Sequence, residues 1–212
     1  MPRPVSPRRR GDLAAILSAS DPEATFEAAR ALGSRGVDTL PELLEVLHEL
    51  AAGEREAPVW GLASAITWVL QLHLEAYAAK RAPLDEEPLN EGVDGLGAAL
   101  ARLQPGVESA AIKIGTIVGD ELPRAASEFL TEGLAVSARA RLLERCRKVL
   151  EVGLGGSSSA VIGALTGLSQ LASYVGPAMI RPAVEQAAKR ATDAKVTEVA
   201  RWALTMLEDA EA

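Results

Sequence analysis

The segment Glu151–Pro182, EVGLGGSSSAVIGALTGLSQLASYVGPAMIRP, carries no charge between Glu151 and Arg181 and contains a GxxxG step at Gly163 and Gly167. So long an uncharged run has to leave water, and whether it enters a bilayer or the protein's own interior decides the fold. Ser, Thr and Gln interrupt every turn, and Gly176-Pro177 ends the helix before about 20 predominantly apolar residues have accumulated. By helical spacing Val161, Leu165, Leu168, Leu171, Ala172 and Val175 share one face, and Ser159, Gly163, Thr166, Gly167, Gln170 and Ser173 the other. The pattern reads as an amphipathic helix inside a stack, not a membrane span. Its small, mildly polar back lets neighbouring backbones approach, and buried Ser and Thr can bond to their own helix's carbonyls.

The serine run at the start of this helix invites a catalytic reading, which the chemistry rejects. Gly156-Ser157-Ser158-Ser159-Ala160 has the outline of a nucleophile elbow, but that elbow needs a preceding strand and a later histidine, and the chain's two histidines are His48 and His73. No Lys follows the glycines, so GLGGSSS is no phosphate loop. A helix N-cap on a Gly-rich turn is the expectation, its backbone amides being able at most to hold an anion. His48 and His73 have no paired metal-ligand spacing, and no metal or cofactor is expected. Cys146 stands between Arg145 and Arg147, which would activate a thiol, yet Leu142, Cys146 and Val149 share a face, so a buried, inert thiol is expected.

Hydrophobic residues make up 48% of the 212-residue chain and aromatics only 3%, with β-branched residues scattered among many Ala and Leu, so the fold class is all-α. The formal net charge of −7 disfavours nucleic acid and anionic lipid as partners. A lone cysteine and the lack of an apolar run behind the basic start point to a cytoplasmic location. Residues 1–11, with Arg8, Arg9 and Arg10, read as a disordered basic tail, and residues 12–212 as one helical domain. In SDPEATFEAARALG, Asp21 is the expected N-cap, Pro22 the first helical residue and Gly33 the stop. Further helices are expected near Asp38–Ala52, Pro58–Lys80, Val93–Leu103, Gly106–Val118, Asp120–Gly133, Ser137–Val152, Ser157–Val175, Pro177–Ala191 and Ala194–Asp209.

Three segments align: ALGSRGVDTLPELLEVLHELA, GTIVGDELPRAASEFLTEGLA and LASYVGPAMIRPAVEQAAKRA. Each has a helix end, a Gly (Gly36, Gly119, Gly176), a short turn, and a Pro (Pro41, Pro123, Pro182) opening a second amphipathic helix. Pro41 and Pro123 lie about 82 residues apart, twice the roughly 40-residue period of helical-hairpin repeats, and the period breaks where Ser137–Val152 looks inserted. With ATFEAARALGSRGVDTLPELLEVL as its best copy, this pattern resembles the HEAT-repeat (armadillo-like) family of α-solenoids. The resemblance implies a short, irregular α-solenoid of about five HEAT-like hairpins whose second helices line a concave surface. Exposed residues of those helices, Glu42, Glu45, Arg124, Glu128, Arg181 and Glu185, then become candidate partner contacts.

Two charged stretches add to that list. RARLLERCRKVLE presents Arg141, Arg145 and Lys148 on one side, with Glu144 in reach of Arg141 and Lys148, either as a solvated face or as a patch for an acidic protein. APLDEEPLNEGVD, Ala82–Asp94, is an acidic, Pro-broken linker or a contact for a basic partner, and it lacks the spacing of a calcium loop. Trp60, Trp68 and Trp202 belong to the core by default, and an exposed one would be a binding hot spot. Together these features point to a non-catalytic module that binds another protein, as a scaffold or inhibitory partner. The alternatives are an enzyme using groove carboxylates and arginines, and a nucleic-acid binder using Arg8–Arg10 and the Arg139–Lys148 helix.

Overall fold

Strong start and stop signals fix most elements of the computed structural model, which describes residues 22–53 and 56–211. Helix α1 (Pro22–Gly33) opens on Pro22 and Glu23 and carries Arg30 in its last turn, as a helix dipole favours. Gly36, at φ 96°, turns the chain into a 3₁₀ turn (Val37–Thr39) and then α2 (Leu40–Ala51), with Pro41 in its first turn. There follow α3 (Glu56–Ala78), α4 (Glu87–Arg102) and α5 (Glu108–Thr116). A π-helical turn (Ile117–Glu121) joins α5 directly to α6 (Leu122–Phe129). The chain continues as α7 (Leu134–Gly153), α8 (Ser158–Val175), α9 (Pro177–Arg190) and α10 (Ala194–Asp209). Every regular element among the described residues is helical. The expected Asp21 cap and the basic tail lie outside the described residues.

Packing sorts the helices into two rows. In the first, α1 packs on α3, α3 on α5 and α6, α5 with its π turn on α8, and α8 on α10. In the second, α2 packs on α4 and α4 on α7, and α9 lies against α8 and α10 of the first row. Leu43, Leu47, Leu62, Ile66, Leu100 and Ile114 are among the fully buried side chains that fill the continuous core.

The uncharged segment becomes α8, the most enclosed helix, touching α5, the π turn, α7, α9 and α10. Most of its small back is buried together with its leucines: Ser159, Gly163, Thr166 and Gly167 are shielded while Gln170 is half-buried and Ser173 exposed, and Val161 and Val175 of the expected apolar face are only half-buried. Gly163 and Gly167 mesh with a second GxxxG step, Gly115 and Gly119, on the neighbouring helix. A Cβ added at Gly167 would lie 2.6 Å from the carbonyl oxygen of Gly115. One at Gly115, Gly119 or Gly163 would sit closer still to the carbonyl of Gly163, Gly167 or Ala111. Backbone therefore rests on backbone.

Several boundaries differ from the sequence reading, each for a local reason. Gly119 and Pro123 form no corner, and the two helices expected at Gly106–Val118 and Asp120–Gly133 are one. The Leu122 amide reaches back to the carbonyl of Ile117, and this wider turn carries the helix past Pro123, whose ring crowds the carbonyl four residues earlier. Pro182 opens no helix either. It lies inside α9, whose corner is Gly176, at φ 91°, followed by Pro177, and the Ala178 carbonyl that loses its partner belongs to an exposed residue. The acidic stretch is half helix, since α4 starts at Glu87 with Pro88 in its first turn. Finally, α7, which the broken period marks as inserted, stands beside α4 and packs on α8.

Candidate functional site

Along α3 the residues Trp60, Ser64, Trp68, Gln71 and Glu75 follow one another at three- and four-residue steps, a polar-aromatic stripe of half-buried and exposed side chains on a helix whose other residues from Pro58 to Leu70 are buried. Between this stripe, α1 and the α5–α6 helix runs a groove of about 700 Å³, walled by Phe26, Trp60 and Trp68 and edged by Glu23, Lys113 and Glu121. Past Gln71 and Glu121 it opens into a second hollow of about 230 Å³ beside Glu75, Arg124, Glu128 and Phe129. An apolar cleft with a few convergent polar groups is the usual form of a binding site.

The π turn sets the polar edge of this groove. Lys113 Nζ lies 2.7 Å from Glu121 Oε1, and the two side chains are only 18% and 20% exposed. Eight steps at about 100° each would leave these residues about 80° apart on a regular helix, and the extra residue of the π turn restores them to one face. The same ammonium stands 5.1 Å from the ring centroid of Trp60, a cation–π contact that fixes the indole's position. On the turn's other flank, Tyr174 Oη donates to Asp120 Oδ1 at 2.7 Å, and Arg124 Nε lies 3.9 Å from Asp120 Oδ2. Burial, reinforced by the hydrogen bond to Asp120, pushes the Tyr174 phenol up to about 12.

The two charged stretches find each other on the second row. Arg141 binds Glu86 through two hydrogen bonds, of 3.0 and 2.7 Å, and Arg145 binds Asp94 at 2.5 Å, so the basic face of α7 latches onto the start of α4. Lys148 lies 3.4 Å from Glu144, and Arg147 is held by both Glu144 and Glu151. The Arg141 hydrogen bonds hold the Glu86 carboxyl below its ordinary range, and those of Arg147 do the same for Glu144.

The other expected contacts are dispersed. Glu42 and Glu45 lie on α2, and Arg181, paired with Glu211 at 2.8 Å, lies with Glu185 on α9. Because α6 continues α5 in the first row, Arg124 and Glu128 alone of the expected residues reach the groove. The residues that sequence reasoning missed are Phe26, Gln71, Lys113, Asp120, Glu121 and Tyr174. The α3 stripe carried a readable signal for Gln71, whereas a Lys–Glu pair eight apart has none without knowledge of the π turn.

The serine run is structural. Ser157 Oγ accepts from the Ala160 amide at 3.3 Å as N-cap and donates to the Leu103 carbonyl at 2.6 Å. Ser159 Oγ accepts from the amides of Gly106 and Val107 at 3.0 and 3.2 Å, so both hydroxyls clamp the α4–α5 turn onto α8. His48 and His73 each place Nε2 on a carbonyl, of Gly95 at 2.9 Å and Asp85 at 2.7 Å. Cys146 is fully buried, and burial pushes its thiol up to about 12 against the weaker pull of Arg145. No helix among the described residues is long and apolar enough to cross a membrane. Comparison with known proteins finds no matching family model and no curated protein of significant similarity.

Proposed function

We propose that this chain is a non-catalytic protein-interaction module, a short irregular α-solenoid of HEAT-like helical hairpins that receives a segment of another protein in the groove between α1, α3 and α5–α6. The observation that carries the reading is the placement of aromatic residues. Of three Trp, two Tyr and two Phe in the chain, Trp60, Trp68 and Phe26 wall this groove and Phe129 flanks its extension. Tryptophan that remains partly accessible in a preformed cleft is the side chain most often found to anchor a protein partner. The alternation of helices between two packed rows supports the solenoid form. Binding then proceeds by shape and charge complementarity on a surface held rigid by the Gly-on-Gly contact behind it, with no covalent step.

The nucleic-acid alternative is less well supported, because four of the five α7 cations, Arg141, Arg145, Arg147 and Lys148, each lie against a carboxylate. The enzyme alternative calls for a carboxylate held protonated, and the carboxyls displaced from their ordinary range among the described residues, Glu86 and Glu144, move the other way. Selection of a displayed random-peptide library on the full chain tests the proposal. Enriched peptides should lose binding to Trp60→Ala and Trp68→Ala chains of unchanged circular dichroism and keep it with Arg181→Ala. Binding indifferent to both tryptophans, or no enrichment over a scrambled library, would contradict it.

A further inference from the structure

Resting on that reading of the groove, we infer that its occupant is a basic amphipathic helix of a partner protein, lying along α3 with its apolar anchors over Trp60 and Trp68 and its cations toward Glu75 and Glu128. Length is the first argument. From Trp60 to Glu75 the stripe follows about four turns of helix, about 22 Å at ~1.5 Å per residue, which matches a helix of four turns laid in a groove. Charge is the second. The cations along the cleft each face a carboxylate, Lys113 closely at 2.7 Å from Glu121 and Arg124 loosely at 3.9 Å from Asp120, whereas Glu23, Glu75 and Glu128 form no ion pair among the described residues. An anionic ligand would set its charge against those three carboxylates, and a basic one is complementary to them. Asymmetry is the third. Phe26, Trp60 and Trp68 stand with one unpaired carboxylate, Glu23, at the Trp60 end, and Glu75 and Glu128 with one aromatic, Phe129, at the other, which orients the ligand with most of its apolar anchors over the tryptophans and most of its Lys or Arg toward Glu75.

Fluorescence anisotropy with the full chain and three labelled synthetic peptides tests this. One is an amphipathic 16-residue helix of Leu and Lys/Arg, one has Glu for every cation, and one is a scrambled form of the first. The basic helix should bind at least about tenfold more tightly than either control, and Glu75→Lys with Glu128→Lys should cost about tenfold and flatten the salt dependence. Trp60→Ala should weaken binding, while Glu45→Lys with Glu91→Lys, on α2 and α4, should leave it unchanged and so exclude a general effect of net charge. Equal or tighter Trp60-dependent binding of the acidic helix would overturn this occupant and leave the groove. Binding indifferent to Trp60 would overturn both. Peptide binding that appears only after Arg8→Glu, Arg9→Glu and Arg10→Glu would give the groove to the chain's own N-terminal segment, and a doubled mass in light scattering that is lost with Trp60→Ala would give it to a second copy. Either result overturns the partner helix.

Discussion

Cys146 shows how far burial outweighs neighbouring charge at a single residue. Arg145 and Arg147 flank it in sequence, but both guanidiniums reach outward to carboxylates while the sulfur packs into the core. A thiol reagent should leave the native chain unmodified and label it only as denaturant unfolds it, and rapid native labelling would contradict the packing. Tyr174 gives the matching prediction for pH. Its raised value favours the neutral phenol in the folded state, so its contribution to stability is complete below the ordinary range of about 10 and is lost as pH rises through about 12. Tyr174→Phe should remove the late phase of the ultraviolet phenol titration near pH 12 and cost about 1 kcal/mol in urea unfolding at neutral pH. The facial periodicity of Cys146 made its fate legible in the sequence. Tyr174 was not legible, because its partner Asp120 is 54 positions away on a turn whose geometry no local pattern announces.

At the scale of elements, complete local signals gave reliable helices. Ala194–Asp209 follows from Asp193, which caps Lys195 and Val196, and Ser158–Val175 from the Ser157 cap and the Gly176 stop. The same kind of signal misled at Gly119 to Pro123, where a glycine and a proline four residues apart read as a corner. Tertiary contact decided otherwise, since α8 demands a continuous neighbour for Gly163 and Gly167, and the helix passes its proline by widening one turn. Gly163→Ala and Gly119→Ala should therefore each destabilise the chain by about 1–3 kcal/mol, as overpacking does, lowering the melting temperature by about 2–4 °C per kcal/mol. Gly155→Ala, whose Cβ would meet only the Val152 carbonyl at 3.5 Å, should stay within about 0.5 kcal/mol. Equal effects at all three positions would mean that the close approach is unimportant.

For the whole molecule, composition made the all-helical class legible, and sign and spacing left the basic helix and the acidic stretch each as a solvated segment or a contact for an oppositely charged partner. That they satisfy each other required knowing that α4 and α7 are neighbours. The groove was hidden for the same reason: it joins α1, α3 and α5–α6, which are distant in sequence and adjacent only in the first row. The proposed docking surface lies on that row, with the latched second row as its support. Hydrogen exchange by mass spectrometry, with and without a saturating selected peptide, tests it most directly. Docking in the groove should slow exchange in segments 60–75 and 113–129 and leave 40–51 and 134–153 unchanged. Protection confined to α2, α4 and α7 would place binding on the opposite row and contradict it.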